Sequence, residues 1–154
     1  MVHMNTKRSY FAAMLLYLLI APTVGLAQTA TKVQATSLEP AKQAAYIFEF
    51  NFDSDVSPTS QIEIIFPPAF NLTQTVMAAS DKMDGMLSVK SEKSSLIIRR
   101  VKAQTPIRAG EMVDIKLATI LNPNEMRSDW EFKVIVRDGE RDVEQKVLSS
   151  AIEQ

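Results

Sequence analysis

Cysteine is absent from the chain, and histidine occurs once, as His3. No disulfide, thiolate metal site, thiol nucleophile or lipid-modified N-terminal cysteine is available, so an apolar core must supply the stability. Once His3 is lost with the leader described below, the Ser-His-Asp and Cys-His constellations are excluded, as are His-ligated zinc and haem. A carboxylate pair about 5 to 9.5 Å apart is all that a glycosidase needs. The eighteen acids, however, are scattered over the chain, and a substrate cleft usually needs more residues than these 154. No enzyme activity and no cofactor are expected. Glycine is also scarce: after Gly25 only Gly85, Gly110 and Gly139 remain, each beside turn-forming residues.

The chain opens with Lys7 and Arg8, an apolar run from Tyr10 to Ala21, then Pro22 and the small-residue site Gly25-Leu26-Ala27. That order is the layout of a secretory signal peptide. The run is shorter than the roughly 20 residues a membrane span requires, and Pro22 ends it. Residues 1–27 are expected to be cleaved before Gln28, leaving a domain of residues 28–154 that is secreted, extracellular or cell-surface, or periplasmic. Cleavage removes Lys7 and Arg8 and no acid, moving the formal charge from −1 to −3. The remaining basic residues form no patch of the kind that phosphate backbones require, so nucleic acid is not an expected partner.

The domain reads as a series of short strands. Tyr46, Phe48, Phe50 and Phe52 alternate with Ile47, Glu49 and Asn51, the period of a half-buried strand. Residues 28–43 read as a lead-in strand ending at Pro40. Gln61 to Phe66 is a strand stopped by Pro67-Pro68, because proline cannot donate to a ladder. Phe70 to Met77 is expected to be a short irregular strand. Asp84-Gly85 precedes a strand at Met86 to Lys90, and Ser91 to Ser94 reads as the next turn. In Ser95 to Lys102 the facing is ambiguous, with Leu96, Ile98 and Arg100 opposite Ile97 and Arg99. Ala109-Gly110 leads into Glu111 to Leu121, closed by Asn122-Pro123-Asn124. Finally, Trp130, Phe132, Val134 and Val136 alternate up to Asp138-Gly139, the signature of a type I′ hairpin into Asp142 to Leu148. About seven to nine strands without an amphipathic helix predict an all-β, antiparallel sandwich.

Four acids on two loops, Asp53 with Asp55 and Asp81 with Asp84, offer hard oxygen ligands for calcium. Solvated turn residues are the commoner role for such pairs, and the spacing lacks the EF-hand pattern, so no metal ligand is assigned. Asn71-Leu72-Thr73 matches the N-glycosylation acceptor triplet. The aromatic residues offer a carbohydrate platform, but strict alternation points to one core instead. Met77, Met83 and Met86 fit gap-filling or a loop contact surface better than any cofactor.

The stretches Tyr46-Ile47-Phe48-Glu49-Phe50, Ser57 to Phe70, Ile107-Arg108-Ala109-Gly110 and Leu121-Asn122-Pro123 together resemble immunoglobulin-like β-sandwich modules of secreted and cell-surface proteins. That resemblance implies adhesive, surface-layer or scaffold work, and it transfers no catalytic residue. A non-catalytic structural or adhesive module acting through protein contacts is therefore expected, including self-association or filament assembly through edge strands. The polar segment 28–38 is the expected extension for such pairing. The alternative is a secreted module that binds carbohydrate or calcium at its loop tips.

Overall fold

A computed structural model describes residues 31–127, 129–149 and 152–153. The expected signal peptide, residues 1–27, lies outside the described residues. The strands are β1 (Lys32–Ala35), β2 (Gln43–Asn51), β3 (Gln61–Ile65), β4 (Ala78–Ala79), β5 (Met86–Glu92), β6 (Ser95–Val101), β7 (Met112–Leu121), β8 (Glu131–Asp138), β9 (Arg141–Ser149) and β10 (Ile152–Glu153). They form two five-stranded sheets, sheet I in the order β10-β1-β2-β7-β4 and sheet II in the order β5-β6-β3-β8-β9. Every pairing is antiparallel except β1 with β10. The expected all-β sandwich is the fold found.

Period-two patterning builds the core. Tyr46, Phe48 and Phe50 of β2 face inward at 0 to 1% exposure, and Val113, Ile115 and Leu117 of β7 join them in sheet I. From sheet II come Ile62 and Ile64 of β3, Leu96 and Ile98 of β6, and Phe132, Val134 and Val136 of β8. Phe48, Phe66 and Phe132 meet edge to face, with centroids 5.2 to 5.6 Å apart. Each such pair contributes about 0.5–1.5 kcal/mol beyond the area it buries. At one end of the core, Tyr46 donates its hydroxyl to Asn122 Oδ1 at 2.6 Å, and Asn122 Nδ2 donates to the carbonyls of Ser37 and Glu39. Burial pushes the Tyr46 phenol up, so it remains a donor.

Several local expectations change. Phe70 to Met77 is not a strand. After Pro67, whose carbonyl accepts from Phe70 N–H, the chain turns again so that Leu72 C=O accepts from Thr75 N–H. These turns drop Phe70 and Leu72 into the core, and only an isolated bridge from Asn71 to Leu121 and the two-residue β4 remain extended. The Ser91–Ser94 turn shrinks to Lys93-Ser94, since Glu92 already pairs with Ser95. The last hairpin shifts by one residue: Asp138 pairs with Arg141, so its loop is Gly139-Glu140. Gly139 alone has positive φ, 64°, which is the II′ pattern and not the I′ pattern. At Gly85 glycine is required twice over, because φ is 82° and a Cβ would lie 2.8 Å from the Val101 carbonyl oxygen. That close approach brings the start of β5 against the end of β6.

The ambiguous strand β6 turns Leu96, Ile98 and Arg100 inward. Arg100, 1% exposed at its side chain, plugs the gap between three connections. Its guanidinium donates to Asp84 Oδ1 (2.9 Å), to the Thr105 carbonyl (2.9 Å) and to the Val56 carbonyl (3.2 Å). Burial lowers its pKa and Asp84 opposes that shift; a guanidinium stays charged regardless.

Candidate interaction surface

The loop carboxylates are committed to internal partners. Asp53 pairs with Lys146 at 3.0 Å, and Asp55 accepts from Arg108 at 2.7 Å and from Ala109 N–H at 2.9 Å. The Ala109 amide, with Arg108 behind it, holds the Asp55 carboxyl below its ordinary value. Asp84 is lowered likewise, by the amides of Gln104 and Thr105 and then by Arg100. Asp81 pairs with Lys116. Neither loop pair converges on a common point, and among the described residues no group of three or more acids has metal-holding geometry. Proximity in sequence proposed these pairs, whereas cations and amides far along the chain claimed each member.

Asn71 is exposed, as a glycan acceptor must be, and its Oδ1 accepts from Thr73 N–H and from Thr73 Oγ1. Phe48, Phe50, Phe52, Phe66 and Phe132 lie in the core, so they present no carbohydrate platform. Trp130 is half-buried, edge-on to Phe70, with the Arg127 guanidinium 5.6 Å from its ring centre. Of the polar segment 28–38, the described residues 31–38 are not a free extension. Within it, Lys32–Ala35 is β1, paired with β2 on one side and with β10 on the other. Val33 and Ala35 point into the core and leave at most 5% of their surface exposed, which fixes β1 in place.

Among the described residues, large apolar side chains also stand exposed, two of them, Val143 and Val147, on β9 and the other four elsewhere. Val76, Met77 and Met86 are 74, 65 and 60% exposed, and Val101 pairs with Met86 at the start of the β5–β6 hairpin. Val76 and Met77 run directly into β4, which lies beside β5, so these side chains share one flank of the sandwich. Two devices hold that flank. At β7, Thr119 adopts a positive φ of 60°, uncommon for a β-branched residue. Its hydroxyl donates to the Gln74 carbonyl while Ala118 N–H donates to the Met77 carbonyl, which fastens residues 74–77 to sheet I. Further along, Asp114 is buried on the outer face of sheet I beneath residues 80–82. Its carboxylate accepts from Ser80 Oγ and from the amides of Asp81 and Lys82. Burial by itself would raise the Asp114 pKa, but Ser80, these two amides and Lys116 together lower it. Ala45, Met77, Ala78, Ala79 and Ala118 line a shallow apolar groove between these anchors.

Asp114 and Arg100 were not legible as anchors in the sequence. Parity was a signal only for Arg100, which shares the face of Leu96 and Ile98; Asp114 keeps the outward parity of its strand and is buried by residues 80–82 instead.

The four lateral strands differ. β4 and β10 have two residues each, too short to template a partner. β9 has nine residues, but Val143 is an extra residue between the pairs Val136–Glu144 and Arg137–Asp142. β5 has seven residues paired to β6 without a bulge.

No family model matches this sequence, and no curated protein matches it either. Solved structures do resemble its chain path. The N-terminal domain of the Streptococcus gordonii adhesin Sgo0707 aligns with a TM-score of 0.48 at 7% identity, over 81% of this chain and 33% of that one. The present chain thus spans about a third of that structure. A collagen-binding domain from a Staphylococcus aureus adhesin aligns with a TM-score of 0.41 at 10% identity, over 80% of this chain and 97% of that one. A Nocardia farcinica protein described as having an immunoglobulin-like fold aligns with a TM-score of 0.43 at 10% identity, over 74% and 81%.

Proposed function

We propose that this protein is an exported, non-catalytic module that works outside the cytoplasm, in adhesion or in a surface structure, through contacts with other proteins. One observation carries the reading. The charged loops are neutralised from within and the aromatic rings are spent on the core, while large apolar side chains stand exposed together along the β4–β5 flank. Exposed apolar residues grouped in this way mark protein contact sites. An open β-strand edge beside them supplies backbone donors and acceptors, which proteins recognise by strand addition. The cleavable leader expected at residues 1–27 supplies the route to the exterior.

The test has two parts. N-terminal sequencing of the exported protein should begin at Gln28. The labelled protein is then bound to intact cells pretreated with protease or with glycosidases. Protease should abolish binding, and a Met77→Lys variant should weaken it at least tenfold. Binding that survives protease but not glycosidases would replace this reading with carbohydrate recognition.

A further inference from the structure

We infer that β5 is a self-pairing edge, joining a second copy of this chain about a twofold axis through Val89 to make one ten-stranded sheet from two copies of sheet II. The inference names the partner and site for the protein-contact reading above and rests on it.

The backbone parity follows from the hairpin. Lys93-Ser94 is a two-residue loop, so the closing pair Glu92–Ser95 is hydrogen-bonded. Alternation then points the N–H and C=O of Lys90, Ser88 and Met86 toward β6, and those of Leu87, Val89 and Ser91 away from the sheet. The side chains of these three outward-bonding residues lie on the inner face, half-buried, and Leu87 and Val89 already pack against the core. A strand added there extends the ladder and covers the exposed part of both side chains.

The register favours a second copy running antiparallel. Val89 is the midpoint of Met86–Glu92, so pairing about it overlaps the whole strand. Val89 faces the partner's Val89, Leu87 faces the partner's Ser91, and about six hydrogen bonds form, one donor and one acceptor from each of the three residues on each copy. On the outer face Met86 lies opposite the partner's Glu92, and Ser88 opposite the partner's Lys90. No like charges stand directly opposite, and each Lys90 keeps its own counter-ion in Glu92. Shifting the axis by one residue to Lys90 would oppose two ammonium groups. Twofold pairing uses β5 on both copies and closes. β9, with its bulge, offers no equally regular edge for continuation, so the product is a dimer and not a fibre.

The full exported chain is examined by sedimentation over micromolar to millimolar concentrations. It should dimerise, and Val89→Pro should raise the dissociation constant at least tenfold. That proline removes an outward N–H and leaves the β6 ladder intact, so the melting temperature of the monomer should shift little. The absence of native cysteine permits a second probe. Hydrogen-bonded antiparallel partners have Cα atoms about 5.5 Å apart, within disulfide range. A Val89→Cys chain should therefore oxidise to a covalent dimer much faster than a Val143→Cys chain. A chain that stays monomeric at millimolar concentration overturns the inference. So does a dimer indifferent to Val89→Pro, or equal crosslinking at the two positions. If the monomer still binds protease-sensitive sites on cells, only this inference fails; if that binding is also absent, the protein-contact reading fails with it.

Discussion

The two long lateral strands of sheet II handle the same hazard differently. β9 interrupts its ladder with Val143 and turns two charges inward. Glu144 accepts from the amides of Asp53 and Ser54, and Lys146 donates to the Asn51 carbonyl at 2.6 Å, tying the strand to the end of β2. A bulge and inward charges are how sandwiches keep an edge from recruiting strangers. β5 has neither: its ladder is regular, its inward residues are Leu87, Val89 and Ser91, and the exposed Met86 and Val101 pair at its start, although β9 too exposes Val143 and Val147. Of the two opposite edges of sheet II, one is thus blunted and the other is left regular.

The largest expected effect tests what holds the β5 flank in position. Arg100→Ala removes the donor shared by the Thr105 and Val56 carbonyls and leaves Asp84 only the amides of Gln104 and Thr105, and it should cost about 3 kcal/mol in urea unfolding. Hydrogen exchange should rise first at the β5–β6 hairpin, while β9 stays protected. If protection falls equally at both edges, Arg100 supports the whole sandwich and the contrast between flanks loses its basis. Next, converting β9 toward the character of β5 with Glu144→Leu and Lys146→Leu should cost about 1–2 kcal/mol, from the loss of the Asn51–Ser54 anchor. The same variant should form larger oligomers in light scattering, because β9 then lacks its inward charges.

An acid titration separates the flank anchors. The folded pKa of Asp114 is lowered, so its contribution to stability is complete above the unfolded value near 4 and is lost as pH falls through the folded value. Asp114→Asn should cost about 1–2 kcal/mol at pH 7 and flatten the loss of stability between roughly pH 5 and pH 2. Denaturant midpoints measured across that range provide the check. An unchanged acid limb would show that Ser80, Asp81 and Lys82 do not depend on the Asp114 charge. The smallest effect lies in the β5–β6 turn itself. Lys93 sits at a φ of 51°, where a side chain costs about 1–2 kcal/mol. Glycine there recovers part of that cost and concedes some unfolded-chain entropy, so Lys93→Gly should raise stability by about 0.5 kcal/mol, read as a small rise in melting temperature.

The aromatic strand at 46–52 was legible because period-two alternation is local, and the turns at Gly85 and Gly139 were legible because few residues tolerate their φ. β6 was not, since Leu96, Ile97 and Ile98 are all apolar and leave no period from which to assign Arg100 a side. The partners of the acids at 53, 55, 81 and 84 were not legible for a related reason. Neighbours in sequence looked like neighbours in a site, yet Lys146, Arg108, Lys116 and Arg100 lie far along the chain and reach them only through the fold.

By itself, the sequence determined an all-β domain with an alternating aromatic core, no cysteine and no histidine after His3, because periodicity and residue inventory are properties of the chain alone. Only the tertiary structure decided which strands are edges, which charges are silenced and which flank is left apolar. Those depend on pairings between residues from 16 to 95 positions apart, whose geometry exists only after the two sheets have closed on their shared core.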